Sequence, residues 1–294
     1  MTLKMQEKHG LIEHPQEVPE LAQKIVAEFS ALPQVIAIAL AGSQINELAD
    51  ELSDFDFYVY TTTEIPTNVR ADIANKFATR IEINNQFWEP GDEWIDTATG
   101  CGVDVMYRTP NWIEKQLESI LVNHQASVGY STCLWWNILK SHPVYDRDGW
   151  FKHLQHQALQ PYPEELRRAI VAKNYPILRQ HISAYTHQIK LAISRSDFVS
   201  INHRVAALVA SYFDIIFAVN YLPHPGEKRL VQFAKSLCKK LPKSFEIDLK
   251  NLLGSLSMDS KILYNINCLI DNLDQLLLTE RLIPISGLGK YERN

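Results

Sequence analysis

The chain has 294 residues and a mass of 33.7 kDa, with 46% hydrophobic and 21% charged residues, which excludes a mainly disordered chain, a collagen-like repeat and a disulfide-rich miniature protein. The formal net charge of −5 conceals an asymmetry: residues 1–150 carry 10 Lys and Arg against 22 Asp and Glu, whereas residues 151–294 carry 19 against 12. An acidic half joined to a basic half indicates either an interaction with anions or nucleic acid, or simply two independent surfaces.

Helix and strand patterns alternate through the first half. Helices are predicted where apolar residues recur every three or four positions, and strands where β-branched and aromatic residues run together. The predicted order is a helix at Pro19–Leu32, strands at Gln34–Ala41 and Asp54–Thr61, a helix at Pro66–Thr79, strands at Ile81–Phe87 and Gly102–Tyr107, and a helix at Pro110–Asn123. Residues 1–150 are therefore expected to form an α+β domain, a mixed sheet with flanking helices.

From Pro163 onward almost every segment has helical periodicity. Helices are predicted at Pro163–Ser194, Asp197–Asn220, Lys228–Lys240, Ser244–Leu256 and Lys261–Leu282. Pro176 is expected to kink or interrupt the first of them. Residues 151–294 are therefore predicted to form an all-α helical bundle, a second domain that closes a cleft over the first.

Three features bear on the compartment. The N-terminal segment is polar and lacks the apolar core of a signal peptide. The longest apolar stretch, Val205–Val219, is shorter than the ~20 residues that span a bilayer, so we expect a buried helix and no membrane contact. The four cysteines are scattered without a CxxC pair, as in reduced proteins. These features predict a cytoplasmic protein.

The segment Ala41–Tyr60 concentrates residues suited to phosphate and metal chemistry. A predicted strand ends at Gly42-Ser43, where glycine permits close backbone approach and exposed N–H groups and a hydroxyl can bind phosphate oxygens. Asp54 and Asp56 are two positions apart on the next strand, so their carboxylates project from one face while Phe55 projects from the other. Paired carboxylates of this kind suit Mg²⁺, which shares its remaining positions with substrate phosphates.

A third acid, Asp104, lies inside the apolar strand Val103–Tyr107. Buried acids are rare unless they are paired or bind a metal. If this strand neighbours Asp54–Thr61, Asp104 faces the same ions. Two cations would then connect three carboxylates with a nucleoside triphosphate and favour in-line attack on phosphorus.

The combination resembles the nucleotidyltransferase superfamily signature, in which a Gly-Ser turn precedes a strand with Asp-x-Asp and a later strand supplies a third Asp. The acidic turn at Ala49–Ser53 is similar to the bacterial branch that acts on small molecules such as aminoglycosides and lincosamides. The resemblance covers mainly residues 35–110. It implies that Gly42 and Ser43 bind the nucleotide, that Asp54 and Asp56 bind both Mg²⁺ ions, and that Asp104 binds one and helps to deprotonate the attacking hydroxyl.

The second half contributes one related segment. Asn220 followed by Pro225-Gly226-Glu227-Lys228 is similar to a turn in lincosamide-modifying and related bacterial proteins of the same superfamily. Lys228 is expected to open a helix, where its ammonium and the helix N-terminus would meet a triphosphate. The resemblance thus implies nucleotide binding by Lys228, whereas an ordinary exposed helix start explains the same residues.

Together these features predict transfer of a nucleoside monophosphate, AMP from ATP or the equivalent from another nucleoside triphosphate, to a hydroxyl of a small-molecule acceptor with release of pyrophosphate. Two alternatives stay open: a nucleotidyltransferase that acts on RNA or protein, and a non-catalytic nucleotide sensor or antitoxin-like module. RNA is the less favoured partner because the basic half lacks an aromatic-interleaved basic platform. The oligomeric state cannot be read from the sequence.

Overall fold

The computed structural model of the chain describes residues 18–41, 54–87, 89–256 and 259–284, with residues 259 and 260 described by their backbone alone. These residues form two compact units. The sheet unit comprises residues up to Glu118 together with Asn137–Pro161, and the helical unit comprises Ser119–Trp136 together with residues from Tyr162 onward. The predicted division at residue 150, and the cleft, stay predictions.

Six strands and several helices make up the first part of the chain. In chain order they are α1 (Glu20–Ser30), β1 (Val35–Ala41), β2 (Phe55–Thr61), α2 (Thr67–Ala74), β3 (Ile81–Asn85), β4 (Gly91–Ile95), β5 (Gly102–Arg108), α3 (Pro110–Leu121), α4 (Cys133–Lys140), β6 (His142–Asp146) and α5 (Trp150–Ala158). The strands form one sheet in the order β3-β4-β5-β2-β1-β6. Only the β2–β5 pair is parallel, so the predicted mixed sheet with flanking helices is confirmed.

Two of these strands, β4 and β6, were not predicted from the sequence. Strand β4 begins Gly91-Asp92-Glu93, three residue types that are depleted in strands. Strand β6 contains Pro143, which a sheet tolerates at an edge, and β6 is an edge strand. In both cases the neighbouring strand overrides a weak local preference.

The two faces of the sheet are covered differently. On one face, apolar side chains from α1, α2 and the strands form a single core that includes Ile25, Phe29 and Ile73. On the other face the Tyr60 ring packs on Trp150 and Phe151 of α5, with ring centroids 5.1 and 5.2 Å away. Helix α5 is held in turn by the Asp146 carboxylate, which accepts hydrogen bonds from the backbone N–H groups at its start.

The helices of the helical unit pack around an apolar core of their own. They are α6 (Glu164–Arg179), α7 (Tyr185–Ser194), α8 (Phe198–Val219), α9 (Leu230–Leu237), α10 (Phe245–Gly254) and α11 (Asp259–Thr279). The prediction of a helical C-terminal part is confirmed. Helix α8 is long and apolar enough to span a membrane by length and composition, yet 61% of its apolar window is buried inside the protein. A buried core helix at Val205–Val219 was the sequence expectation.

The predicted helix Pro163–Ser194 is two helices, and the break does not fall at Pro176. Helix α6 runs through Pro176 to Arg179, and a new helix starts at Tyr185. A proline cannot donate a backbone hydrogen bond, but its carbonyl still accepts. The Pro176 carbonyl accepts from the N–H groups of Gln180 and His181 and closes the helix just beyond it. The expected interruption therefore comes a few residues later than predicted.

Helix α8 begins with a side-chain cap. The Asp197 carboxylate accepts from the Ser200 backbone N–H at 3.0 Å and from the Ser200 hydroxyl at 2.7 Å. Asp197→Ala is expected to lower the free energy of unfolding by about 1 kcal/mol because one N-terminal N–H loses its acceptor. Urea unfolding followed by circular dichroism measures the loss. Asp197→Asn should retain most of the stability, and an equal loss in both variants would contradict capping as the cause.

Within the helical unit, the buried carboxylate of Asp214 connects the loop at residues 127–131 to helix α8. Asp214 of α8 accepts hydrogen bonds from the Ser131 N–H at 3.0 Å, the Ser131 hydroxyl at 2.6 Å and the Asn174 amide at 3.1 Å. Asn174 in turn binds Gly129 N–H and the Ser127 carbonyl. Burial raises the pKa of Asp214 to about 7 even though these donors favour its ionised form.

Because the pKa of Asp214 is raised in the folded protein, we expect the free energy of unfolding to decrease as the pH rises. In the unfolded chain the pKa of Asp214 returns to about 3.8, so the folded state binds more protons between about pH 4 and 7. The stabilisation is complete below pH 4 and is lost as the pH rises through 7, at most about 4 kcal/mol for this one group. The difference in unfolding free energy between wild type and Asp214→Asn, measured in urea at pH 4.5 and 7.5, should shift against wild type at the higher pH. A constant difference would show that Asp214 keeps an ordinary pKa.

Candidate functional site

The parallel pairing of β2 with β5 brings two of the predicted site residues side by side. Asp56 lies opposite Asp104, and Phe55 lies opposite Val103. Neighbouring strands are about 4.8 Å apart and alternate residues share a face, so Asp54, Asp56 and Asp104 lie on one face, which we call the site face. Phe55, by contrast, is buried in the core on the opposite face.

The three carboxylates differ in their exposure. Asp54 is exposed, whereas Asp56 and Asp104 are half-buried. Like charges placed directly opposite on neighbouring strands destabilise a sheet unless something compensates for them. A cation bound between the carboxylates of the site face would lower their mutual repulsion.

The acidic row continues beyond the residues that were predicted. Glu93 of β4 lies opposite Asp104, and Glu82 of β3 lies opposite Glu93. The Asn85 amide donates a 2.7 Å hydrogen bond to Glu93 and so fixes one of its oxygens. Glu93 escaped the sequence analysis because Gly91, Asp92 and Glu93 give no strand signal and β4 was not recognised.

Two same-face pairs further along β2 and β5, Arg108 lies opposite Tyr60 and its positive charge is neutralised by Glu89. Arg108 donates to both carboxylate oxygens of Glu89, at 2.8 and 2.7 Å, and its guanidinium carbon lies 3.7 Å from the centre of the Tyr58 ring. Burial raises the pKa of Tyr58, Arg108 lowers it and the Asp56 carboxylate adds to the rise, so the phenol stays protonated at neutral pH. Asn137 also donates to the Tyr58 hydroxyl at 3.4 Å. The acids are thus bordered by the Tyr58 ring and by the Arg108–Glu89 ion pair that lies against it.

The predicted phosphate-binding turn, Gly42 and Ser43, lies outside the described residues. The strand that leads to it is described: Ala41, the last residue of β1, lies opposite Asp56. The chain therefore enters the segment 42–53 directly beside one of the carboxylates. The nucleotide-binding role of Gly42 and Ser43 stays a prediction.

Lys228 does not open a helix, contrary to the sequence expectation. Helix α9 begins at Leu230, and Arg229 before it has a φ of 56°, which breaks the helical geometry. Lys228 is an exposed residue of the turn that precedes α9, in the helical unit. A nucleotide-binding role for Lys228 stays a prediction and can no longer invoke the first turn of that helix.

The three predicted metal ligands, Asp54, Asp56 and Asp104, do not converge on one point. Among residues 18–41, 54–87, 89–256 and 259–284, no three His, Cys, Asp or Glu side chains converge closely enough to hold an ion. The carboxylates of Asp54, Asp56 and Asp104 nevertheless supply the oxygen ligands that Mg²⁺ prefers, on adjacent strands and on one face. Rotation of these side chains toward a common point is what binding would require of them.

Comparisons with known proteins give no family assignment. No protein-family model and no curated protein matches the chain. A nucleotidyltransferase-like protein from Exiguobacterium sibiricum aligns with a TM-score of 0.40 and 13% identity over 88% of this chain and 74% of its own. The spectinomycin adenyltransferase of Enterococcus faecialis, solved with ATP and spectinomycin, aligns with a TM-score of 0.27 and 12% identity over 86% and 96%. Likeness at this level carries no argument about activity, which has to rest on the residues of the chain itself.

Proposed function

We propose that this protein is a metal-dependent nucleotidyltransferase of the cytoplasm that transfers AMP from ATP to a hydroxyl of a small-molecule acceptor and releases pyrophosphate. The observation that carries the proposal is the register of β2 and β5, which sets Asp56 opposite Asp104 with Asp54 on the same face. The acceptor class, an aminoglycoside- or lincosamide-like polyol, comes from the resemblance of residues 35–110 to that branch of the superfamily.

The placement of the acids explains their division of labour. Asp54 directly precedes β2 and Asp56 lies two residues later, so both side chains can bind the metal ions of the triphosphate from one side. Asp104 lies on the neighbouring strand opposite Asp56, and the proposal assigns it to the acceptor hydroxyl. In the reaction the hydroxyl oxygen bonds to the α-phosphorus, the bond from that phosphorus to the β-phosphate oxygen breaks, and Asp104 accepts the hydroxyl proton.

Two Mg²⁺ ions bound by these carboxylates would supply charge neutralisation for the phosphate oxygens and for the pyrophosphate that leaves. The protein itself supplies the fixed spacing of the acids through the sheet. It also supplies a border beside the acids, where the Arg108 guanidinium stacks on the Tyr58 ring and donates to Glu89.

Nucleotide binding gives the first test. ATP should bind at least tenfold more tightly with Mg²⁺ than with EDTA in isothermal titration, because the carboxylates otherwise repel the triphosphate. Pyrophosphate release should then follow when a panel of aminoglycosides and lincosamides is added. Binding of ATP that ignores Mg²⁺, without turnover, would support the nucleotide sensor instead. No binding of any nucleoside triphosphate under either condition would refute the proposal.

A further inference from the structure

Gly102 opens β5 and presents no side chain on the site face. Gly102 lies two residues before Asp104 on β5 and shares its face, and Asp54 directly precedes β2, one step before the Phe55–Val103 pair. Gly102 is therefore the neighbour of Asp54 across the two strands. Any other residue at this position would stand among the three carboxylates.

The side chain of Asp54 fills the space that this glycine leaves. A Cβ on Gly102 would lie 2.9 Å from Asp54 Cγ and 3.5 Å from Asp54 Cβ, and still closer to one carboxylate oxygen. Non-bonded carbon atoms do not approach so closely, which means that the Asp54 carboxyl group occupies the space where a Cβ of residue 102 would stand. The carboxyl group therefore lies beside the backbone of β5, the strand that carries Asp104.

Backbone conformation does not account for the glycine. The described glycines with positive φ are Gly100, Gly129, Gly149 and Gly226, and Gly102 is not among them. A residue with a side chain could adopt the backbone of Gly102 without strain. A side chain there would have to displace the carboxyl group of Asp54.

We propose that Gly102 is a positioning residue: its missing Cβ lets the Asp54 carboxylate lie against β5 and so sets where that carboxylate is held relative to Asp104. The inference rests on the proposed function, because the position of Asp54 matters only if its carboxylate binds the metal–nucleotide complex. Gly102 itself touches neither substrate nor metal in this account. It acts entirely through Asp54.

The test is Gly102→Ala, with Mn²⁺ in place of Mg²⁺ so that electron paramagnetic resonance reports the free ion. Binding of Mn²⁺ in the presence of ATP should weaken at least tenfold, because the added methyl group displaces the carboxylate. The melting temperature should change by less than about 4 °C, since the group that moves is the end of an exposed side chain. A crystal structure of the variant should show the Asp54 carboxyl group turned off the β5 backbone.

Two further variants separate positioning from general damage. Gly254→Ala, at the end of α10 where an added Cβ meets nothing within 4 Å, should leave both Mn²⁺ binding and melting temperature unchanged. Asp54→Ala should lose Mn²⁺ binding, and the double variant Asp54→Ala/Gly102→Ala should match it in binding and in melting temperature, because the only group that the methyl displaces has been removed.

The outcomes distinguish this inference from the proposed function. If the wild-type protein binds no Mn²⁺ with ATP, the proposed function fails, while the crystal structure still decides the contact between Asp54 and Gly102. If Asp54→Ala loses binding and Gly102→Ala binds like wild type, the positioning inference alone is overturned. It is equally overturned if Gly102→Ala is destabilised and the double variant does not recover, because the clash would then be with the backbone.

Discussion

Asp56→Asn is expected to lower the turnover number for Mg²⁺-dependent pyrophosphate release by about a thousandfold, equivalent to about 4 kcal/mol of transition-state stabilisation. Asparagine keeps the size of the side chain and the strand position but removes the charge that neutralises the metal–nucleotide complex. Asp56 lies between Ala41 and Asp104 across three strands, so no other group on β2 can take its place. Steady-state pyrophosphate release with the acceptor that supports turnover measures the effect.

The same variant should have a free energy of unfolding within about 1 kcal/mol of the wild-type value, because asparagine keeps the size of this half-buried side chain. Lower activity at unchanged stability is difficult to explain by misfolding. Glu82→Gln serves as the matched control because it removes an exposed charge at the far end of the same row, and it should keep activity within about threefold. An Asp56→Asn protein with more than a tenth of wild-type activity would rule out the proposed role.

Asp92→Ala is expected to lower the free energy of unfolding by about 3 to 5 kcal/mol. The Asp92 carboxylate, 1% exposed, accepts hydrogen bonds from the Asn84 N–H at 2.8 Å and the Tyr107 hydroxyl at 2.6 Å, and it pairs with Arg70 at 3.3 Å. Arg70 is itself 4% exposed, and its guanidinium also packs on the Tyr107 ring. Without Asp92 the buried Arg70 charge keeps the more distant Asn84 Oδ1 as an acceptor at 3.4 Å, and the Asn84 N–H and the Tyr107 hydroxyl lose theirs.

Chemical unfolding of three variants would apportion this loss. Tyr107→Phe removes a single hydrogen bond and should cost about 1 to 2 kcal/mol. The double variant Arg70→Met/Asp92→Ala should recover part of the stability lost in Asp92→Ala, because the orphaned charge is gone. A loss below 1 kcal/mol in Asp92→Ala would mean that Arg70 finds another partner or water. The network fixes β3, β4 and β5 from the core side, so its loss should also disturb the register that aligns Asp104.

Sequence patterns predicted the parts of the fold in which local and tertiary preferences agree. The strand at Asp54–Thr61 alternates buried aromatic residues with acids, and the helix α8 is apolar over most of its length, so both were found within a residue or two. Strands β4 and β6 were missed because their residues become strand only through their neighbours. The break was expected at Pro176, but the helix continues for three more residues to Arg179, and the Pro176 carbonyl accepts from Gln180 and His181 at its end.

The candidate site was predicted residue by residue but not as an arrangement. Alternation along the sequence places Asp54 and Asp56 on one face of a strand that starts at Asp54, whereas in the structure β2 starts at Phe55 and Asp54 directly precedes it. That Asp104 lies directly opposite Asp56 depends on strand order and register, which a single sequence does not reveal. Glu93 and Gly102 were missed for the same reason, since their significance lies across the strands and not along them.

The one parallel strand pair has a consequence for how the protein folds. Helix α2 and the strands β3 and β4 lie between β2 and β5 in the chain, so the pairing of Asp56 with Asp104 closes a long loop. Contacts of such high contact order form late, after local helices and hairpins such as β3–β4 and β4–β5. We therefore expect Asp56 and Asp104 to come together only after the β3–β4–β5 hairpins have formed. Those hairpins then already fix the position of Asp104.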